Sequence, residues 1–154
     1  MSLNPELLSE NVVVAVDSTG IKVSNRGEWM REKWRVRRGW IKVHSMIDVE
    51  TNQIPGLEVT DESVQDEQVF DLLLDQATSN CDENRVKMVL GDGGYDRNGI
   101  FNTLEKRRIQ SGIKTRQDAS TRSTGSAYRA ECVRERNKSG GYNEWSVSIG
   151  YGKR

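Results

Sequence analysis

Val12-Val13-Val14-Ala15-Val16-Asp17 is the longest apolar run in the chain, and it ends in an acid. The run is far too short for a membrane-spanning helix, which needs about 20 apolar residues. Its β-branched valines favour a short buried strand over a helix. Asp17-Ser18-Thr19-Gly20 then reads as a turn, with a second short strand over Ile21–Ser24. Further along, Ile41, Val43, Ser45, Ile47 and Val49 alternate with Lys42, His44, Met46 and Asp48, the two-residue period of a strand over Trp40–Val49. Glu50-Thr51-Asn52-Gln53 is a turn, and Ile54–Thr60 returns as the other arm of a hairpin, weakened at its start by Pro55 and Gly56. A helix follows: Val69, Leu72, Leu73, Gln76 and Ala77 recur at helical spacing, with Ser63 as the expected cap and Asp66 three residues on. Val86–Leu90 repeats the opening pattern, an apolar strand running into Gly91-Asp92-Gly93-Gly94-Tyr95-Asp96. Asp96 is the expected cap of a second helix over Arg97–Arg108, and Ser111–Thr115 reads as a further strand. Beyond Gln117 the chain is rich in Ser, Thr, Arg and Gly, with a final short strand expected over Glu144–Ile149. The fold class is therefore α/β: three antiparallel strands, then helices alternating with strands that right-handed crossovers make parallel to the first.

A length of 154 residues suits one domain. Residues 1–11 are polar and read as a disordered lead-in, leaving 12–154 as the folded unit. The opening lacks the charged-then-apolar pattern of a secretory leader. Cys81 and Cys132 lie far apart and outside any metal-binding spacing, which fits a reducing, cytoplasmic setting and no membrane. The formal net charge of zero conceals a strong pattern. Residues 45–84 hold eleven acids and no lysine or arginine, whereas residues 18–44 carry eight basic residues against two acids, and residues 85–154 carry fifteen against seven. Two basic blocks that met in space would form a surface suited to phosphate backbones; solvated faces that merely balance one another are the alternative.

Asp17 and Asp92 each end a predicted buried strand. Sites in open α/β sheets lie just outside the carboxyl ends of parallel strands. If these strands are neighbours, the two carboxylates stand about 5 Å apart, where their repulsion calls for a cation between them. A hard divalent ion suits such oxygens. The competing reading is that both aspartates only shape turns, for which Asp-Ser-Thr-Gly and Gly-Asp-Gly-Gly are good sequences. Gly91–Asp96 also matches a late motif of haloacid-dehalogenase-like phosphatases. Position 19 is Thr19, however, where that family needs an acid, and antiparallel strands directly after the first Asp disagree with its layout.

Asp17-Ser18-Thr19-Gly20, the basic tryptophan-bearing stretch with Trp29 and Trp34, Trp40-Ile41-Lys42-Val43-His44 with Asp48, and Leu90-Gly91-Asp92-Gly93-Gly94-Tyr95-Asp96 together resemble the DDE transposases of bacterial and archaeal insertion sequences. The similarity runs from about Val12 onward. It implies a ribonuclease-H-like fold and two-metal phosphoryl transfer, with Asp17 and Asp92 as catalytic, metal-binding residues holding two Mg²⁺ (or Mn²⁺) ions. It also implies double-stranded DNA as partner, at transposon ends and target. The family's third carboxylate is a Glu on a helix near the C-terminus, and this chain stops at Gly150-Tyr151-Gly152-Lys153-Arg154 before a matching signature. Glu131, Glu135 and Glu144 remain as candidates, each read more readily as a surface acid. An incomplete site is thus expected, with a homo-oligomer expected from an apolar face left open. Candidate DNA-binding residues are Arg35, Arg37, Arg38, Lys42, His44, Lys114 and Arg116. A non-catalytic DNA-binding or dimerising remnant is the rival reading. No helix-turn-helix is evident.

Overall fold

The computed structural model describes residues 11–22, 40–81, 85–122 and 124–153. Five strands form one mixed sheet in the order β3-β2-β1-β4-β5. β1 (Val12–Lys22) sits at its centre. β2 (Trp40–Asp48) pairs antiparallel with β1, placing Asp17 opposite Ser45 and Gly20 opposite Lys42. β3 (Gly56–Asp61) pairs antiparallel with β2. On the other side β4 (Val86–Gly91) runs parallel to β1, and β5 (Gln110–Ile113) parallel to β4. This is the expected ribonuclease-H-like arrangement.

α1 (Asp66–Cys81) and α2 (Asn98–Lys106) connect β3 to β4 and β4 to β5. Both pack on one sheet face. Val12, Val14, Val16, Met46 and Val89 from the strands meet Phe70, Leu73, Leu74, Phe101 and Leu104 from the helices, each fully or almost fully buried. Burying a side chain of this kind contributes about 1.5–3 kcal/mol, so this face supplies the main cohesion. α1 reaches the sheet closely at Gly56, where a Cβ would stand 2.8 Å from the Leu73 carbonyl oxygen. α3 (Ala127–Lys138) packs beside α2, its Tyr128 hydroxyl accepting from the Ser111 amide. α4 (Tyr142–Ser148) follows, and Ile149 behind it reaches Gly112.

Several expectations are corrected. Residues 12–22 form one strand with no turn at Gly20, because β2 pairs along its whole length. Trp40, at the far end of that ribbon, is 40% exposed. β3 starts at Gly56, after Pro55, which has no N–H to donate. Ser63 does not cap α1: its amide and hydroxyl both donate to Asp61, and Gln68 instead reaches back to the Gln65 amide. Residues 144–149 are helical, not extended. Trp145 and Val147 would share a face of a strand, yet Trp145 is buried and Val147 is 82% exposed. The polar stretch after Gln117 contains a full helix, α3, whose buried positions are Ala130, Val133 and Arg136; an arginine in that stripe hides the apolar period. The lead-in over 1–10 and the basic stretch with Trp29 and Trp34 lie outside the described residues.

Candidate functional site

Ala15 stands opposite Leu90 on parallel neighbouring strands. Two residues further along each chain come Asp17 and Asp92. The alternation of side chains puts them on the same face of the sheet, and neighbouring strands are about 5 Å apart. Asp17 is exposed, and its Oδ1 accepts from the Ser18 amide at 2.9 Å. Asp92 keeps an extended backbone past the end of β4, and its Oδ1 accepts from the Gly94 amide at 2.8 Å, opening the 3-10 turn Gly93–Tyr95. Asp92 opens a turn, but Asp17 does not: it lies within β1, opposite Ser45 of β2. Asp17 stands two residues beyond the last β1 residue paired with β4, so both aspartates lie where the parallel β1–β4 pairing stops.

Beside Asp92 lies a cavity of about 680 Å³. Lys114, Arg116, Arg136, Asn137, Tyr142 and Tyr151 line it together with Asp92, Gly93 and Gly94. Lys114 and Arg116 flank the buried Thr115 just beyond β5, so both point outward. The Lys114 ammonium sits 4.4 Å from the centre of the Tyr142 ring, a cation–π contact. Tyr142, Trp145 and Tyr151 pack on one another with ring centres 5.7–5.9 Å apart. The Tyr151 hydroxyl donates to the Gly91 carbonyl at 3.2 Å, which ties the end of the described chain to the end of β4.

Two arginines of α3 hold the loop after β5. Arg136 is 5% exposed. Its Nη1 donates to the Thr115 carbonyl and hydroxyl at 2.9 and 2.7 Å and to the Arg116 carbonyl at 2.7 Å; its Nη2 reaches the Gln117 carbonyl at 3.3 Å. Arg129 grips Asp96 with two bonds, 2.7 and 2.9 Å, and the Arg116 amide donates to the same carboxylate at 3.1 Å. These bonds, then burial, then the Asp96 charge act on the Arg129 pKa, with a net rise. Asp96 is thus a buried anchor and not the cap of α2. Arg97 holds that cap position, without a side-chain cap bond.

The remaining candidates separate in space. His44 is fully buried under α1, its Nε2 2.8 Å from the Thr60 hydroxyl, which excludes it from direct DNA contact. Burial lowers its pKa, the Asp66 charge only partly countering that, so the ring is neutral near pH 7. Lys42 points inward as well, donating to Asp66 at 2.9 Å and to the Val64 carbonyl at 3.1 Å. Glu131, Glu135 and Glu144 are exposed, and none lines the cavity beside Asp92. Among the described residues no group of three or more His, Cys, Asp or Glu is arranged to hold a metal ion. Arg35, Arg37 and Arg38 lie outside the described residues. Sequence reading missed Asp66, Arg129, Arg136 and Tyr142 as parts of this region; the only trace was Asp66 as a helix-start acid. No helix among the described residues is long and apolar enough to cross a membrane.

Compared with known families, residues 8–149 match the family model described as transposase DDE domain.

Proposed function

Because the chain belongs to the transposase DDE-domain family, we propose that it is the catalytic-core region of an insertion-sequence transposase, with Asp17 and Asp92 as two metal ligands and Mg²⁺ or Mn²⁺ as the cofactor. The observation that supports this reading is the placement of both aspartates just beyond the parallel β1–β4 pairing, which ends at Ala15 and Leu90, with a cavity lined by Lys114, Arg116 and Arg136 beside Asp92. The donor set fits the ion: carboxylate oxygens suit a small hard cation that keeps several of its waters. Such an ion, when bound, activates a nucleophile and stabilises the leaving oxygen in phosphoryl transfer. The chain's own residues do the rest. Asp17 and Asp92 offer oxygens on one edge. Lys114 and Arg116 present cations to the phosphates of a DNA strand. Arg136 fixes the loop that carries them.

The described residues supply two carboxylates to this edge, so we infer metal binding with little turnover by this chain alone. The absence of a three-acid group among them favours a second reading, a DNA-binding protein without catalysis. Calorimetry with Mn²⁺ tests the first: binding is expected in the native chain and at least tenfold weaker in Asp17→Asn. No binding in the native chain overturns the metal site. Nicking of supercoiled plasmid separates the two readings. Mn²⁺-dependent nicking lost in Asp17→Asn supports catalysis. Salt-sensitive DNA binding without nicking, indifferent to that change, supports the second.

A further inference from the structure

Arg116 lies just past β5, and both polar groups of its backbone are held by other parts of the protein. Its amide donates to Asp96 Oδ2 at 3.1 Å. Its carbonyl accepts from Arg136 Nη1 at 2.7 Å and from the Ala119 amide at 3.1 Å. The neighbouring residues are held as well. The Lys114 amide donates to the Gly91 carbonyl at 2.9 Å, and Arg136 also bonds the Thr115 and Gln117 carbonyls. A surface loop ordinarily leaves much of its backbone to water. Here the protein itself takes up the backbone from Lys114 to Gln117, while the Lys114 and Arg116 side chains stay exposed.

Both holds trace to α3. Arg129 and Arg136 are seven residues apart, close to two helical turns, so they leave the helix on one side. Arg129 acts through Asp96, gripping its carboxylate at 2.7 and 2.9 Å. Asp96 ends the 3-10 turn that Asp92 opens, its amide donating to the Gly93 carbonyl at 3.3 Å. The Asp96 carboxylate therefore bonds the loop after β5 directly to the turn that begins at Asp92. Arg136 acts on the loop itself. Its acceptors, which include the Thr115 hydroxyl at 2.7 Å and the Asn137 side-chain oxygen at 3.1 Å, are all neutral. An apolar side chain would complete the buried stripe of Ala130 and Val133 without burying a charge. What the arginine adds is reach: one planar guanidinium gathers the carbonyls of three consecutive residues, which a lysine ammonium does not.

We propose that α3 positions Arg116 for a phosphate of a DNA strand, Arg129 through Asp96 and Arg136 directly, so that this cation meets the strand beside the turn bearing Asp92. Arg129 and Arg136 are positioning residues, since they grip the protein and not the strand. The proposal rests on the reading of this cavity as a DNA-strand site. Its physical basis is preorganisation: a side chain on a fixed backbone loses less freedom on binding than one on a loose loop.

The test measures binding of the full chain to a short DNA duplex in EDTA across salt concentrations, at a temperature where circular dichroism shows each variant folded. Arg136→Lys keeps the charge but cannot gather three carbonyls. The slope of log affinity against log salt is expected to fall by about 1, the size of one lost phosphate contact. Arg116→Gln is expected to lower it by the same amount, and Arg136→Lys added to Arg116→Gln to lower it no further. A general loosening of the fold would not produce that non-additivity. If Arg136→Lys does not fold, Arg129→Lys, which keeps a charge beside Asp96 without the paired grip, is expected to show the same loss and the same non-additivity. A slope unchanged in the folded lysine variant but lowered in Arg116→Gln overturns the positioning role and leaves the DNA site standing. Additive losses, about 2 in the double variant, make the arginine a separate phosphate contact and overturn it too. A slope unchanged in every variant removes the DNA site from this cavity, and the proposal with it.

Discussion

Asp96 and Arg129 close on each other with the Asp96 side chain fully buried and that of Arg129 19% exposed. Taking one partner away strands the other charge in a poor solvent. Arg129→Met is therefore expected to cost about 3 kcal/mol, the lower end for a broken buried pair, read as a drop in urea midpoint with an unchanged slope. His44 makes a different prediction, concerning pH. Its folded pKa lies below 6.5, through burial first, with the Lys42 charge lowering it and the charges of Asp66 and Glu58 raising it. Between the lowered folded value and 6.5 the unfolded chain binds more protons, so stability falls as pH drops below 6.5. Asp66, also held low, adds a loss as pH falls below 3.8. His44→Gln should flatten the first slope and Asp66→Asn the second, in thermal melts across pH 3–7. At this scale Asp17 and Asp92 could be read in the sequence, because a polar residue closing an apolar run is a local signal. The partners of Asp96 and Asp66 could not, since Arg129 and Ser18 are brought to them by the fold from 33 and 48 residues away.

At the level of elements, α1 crosses β3 so closely that Gly56 has no room for a side chain. Gly56→Ala sets a methyl against a helix carbonyl that cannot swing aside, and a loss of about 1–3 kcal/mol is expected from such overpacking. α4 carries the sharper contrast. Trp145 is 8% exposed within the tyrosine cluster, whereas Val147 is 82% exposed. Trp145→Ala should destabilise by about 3 kcal/mol and Val147→Thr by less than about 0.5 kcal/mol. A strand over 144–149 would have made the two residues equally costly, because they would lie on one face. Strands β1, β2 and β4 were legible because half-buried or buried extended segments write their period or their valine content plainly. α3 and α4 were not, because their burial depends on an arginine and on an aromatic cluster that lie outside any apolar stripe.

For the whole molecule, the basic third block of the chain contributes Lys114, Arg116 and Arg136 to a single cavity beside Asp92. Binding of a short duplex in EDTA should weaken with salt, and Lys114→Gln or Arg116→Gln should each reduce the slope of log affinity against log salt by about 1. An unchanged slope in both variants would place the DNA elsewhere. The α/β class, the elements from β2 to β5 and the acids closing the two apolar runs were determined by the sequence alone, since each rests on neighbours in the chain: β-branched runs, two-residue alternation, an acid after a valine run. What only the tertiary structure decided was which strands are neighbours, which charges are buried, and which side chains meet. Asp17 and Asp92 come to adjacent strands because β1 and β4 pair in parallel. His44 becomes an interior group, and Lys42 a partly covered one, because α1 packs on their face of the sheet. Those outcomes depend on desolvation and long-range contact, and no local pattern of residues encodes them.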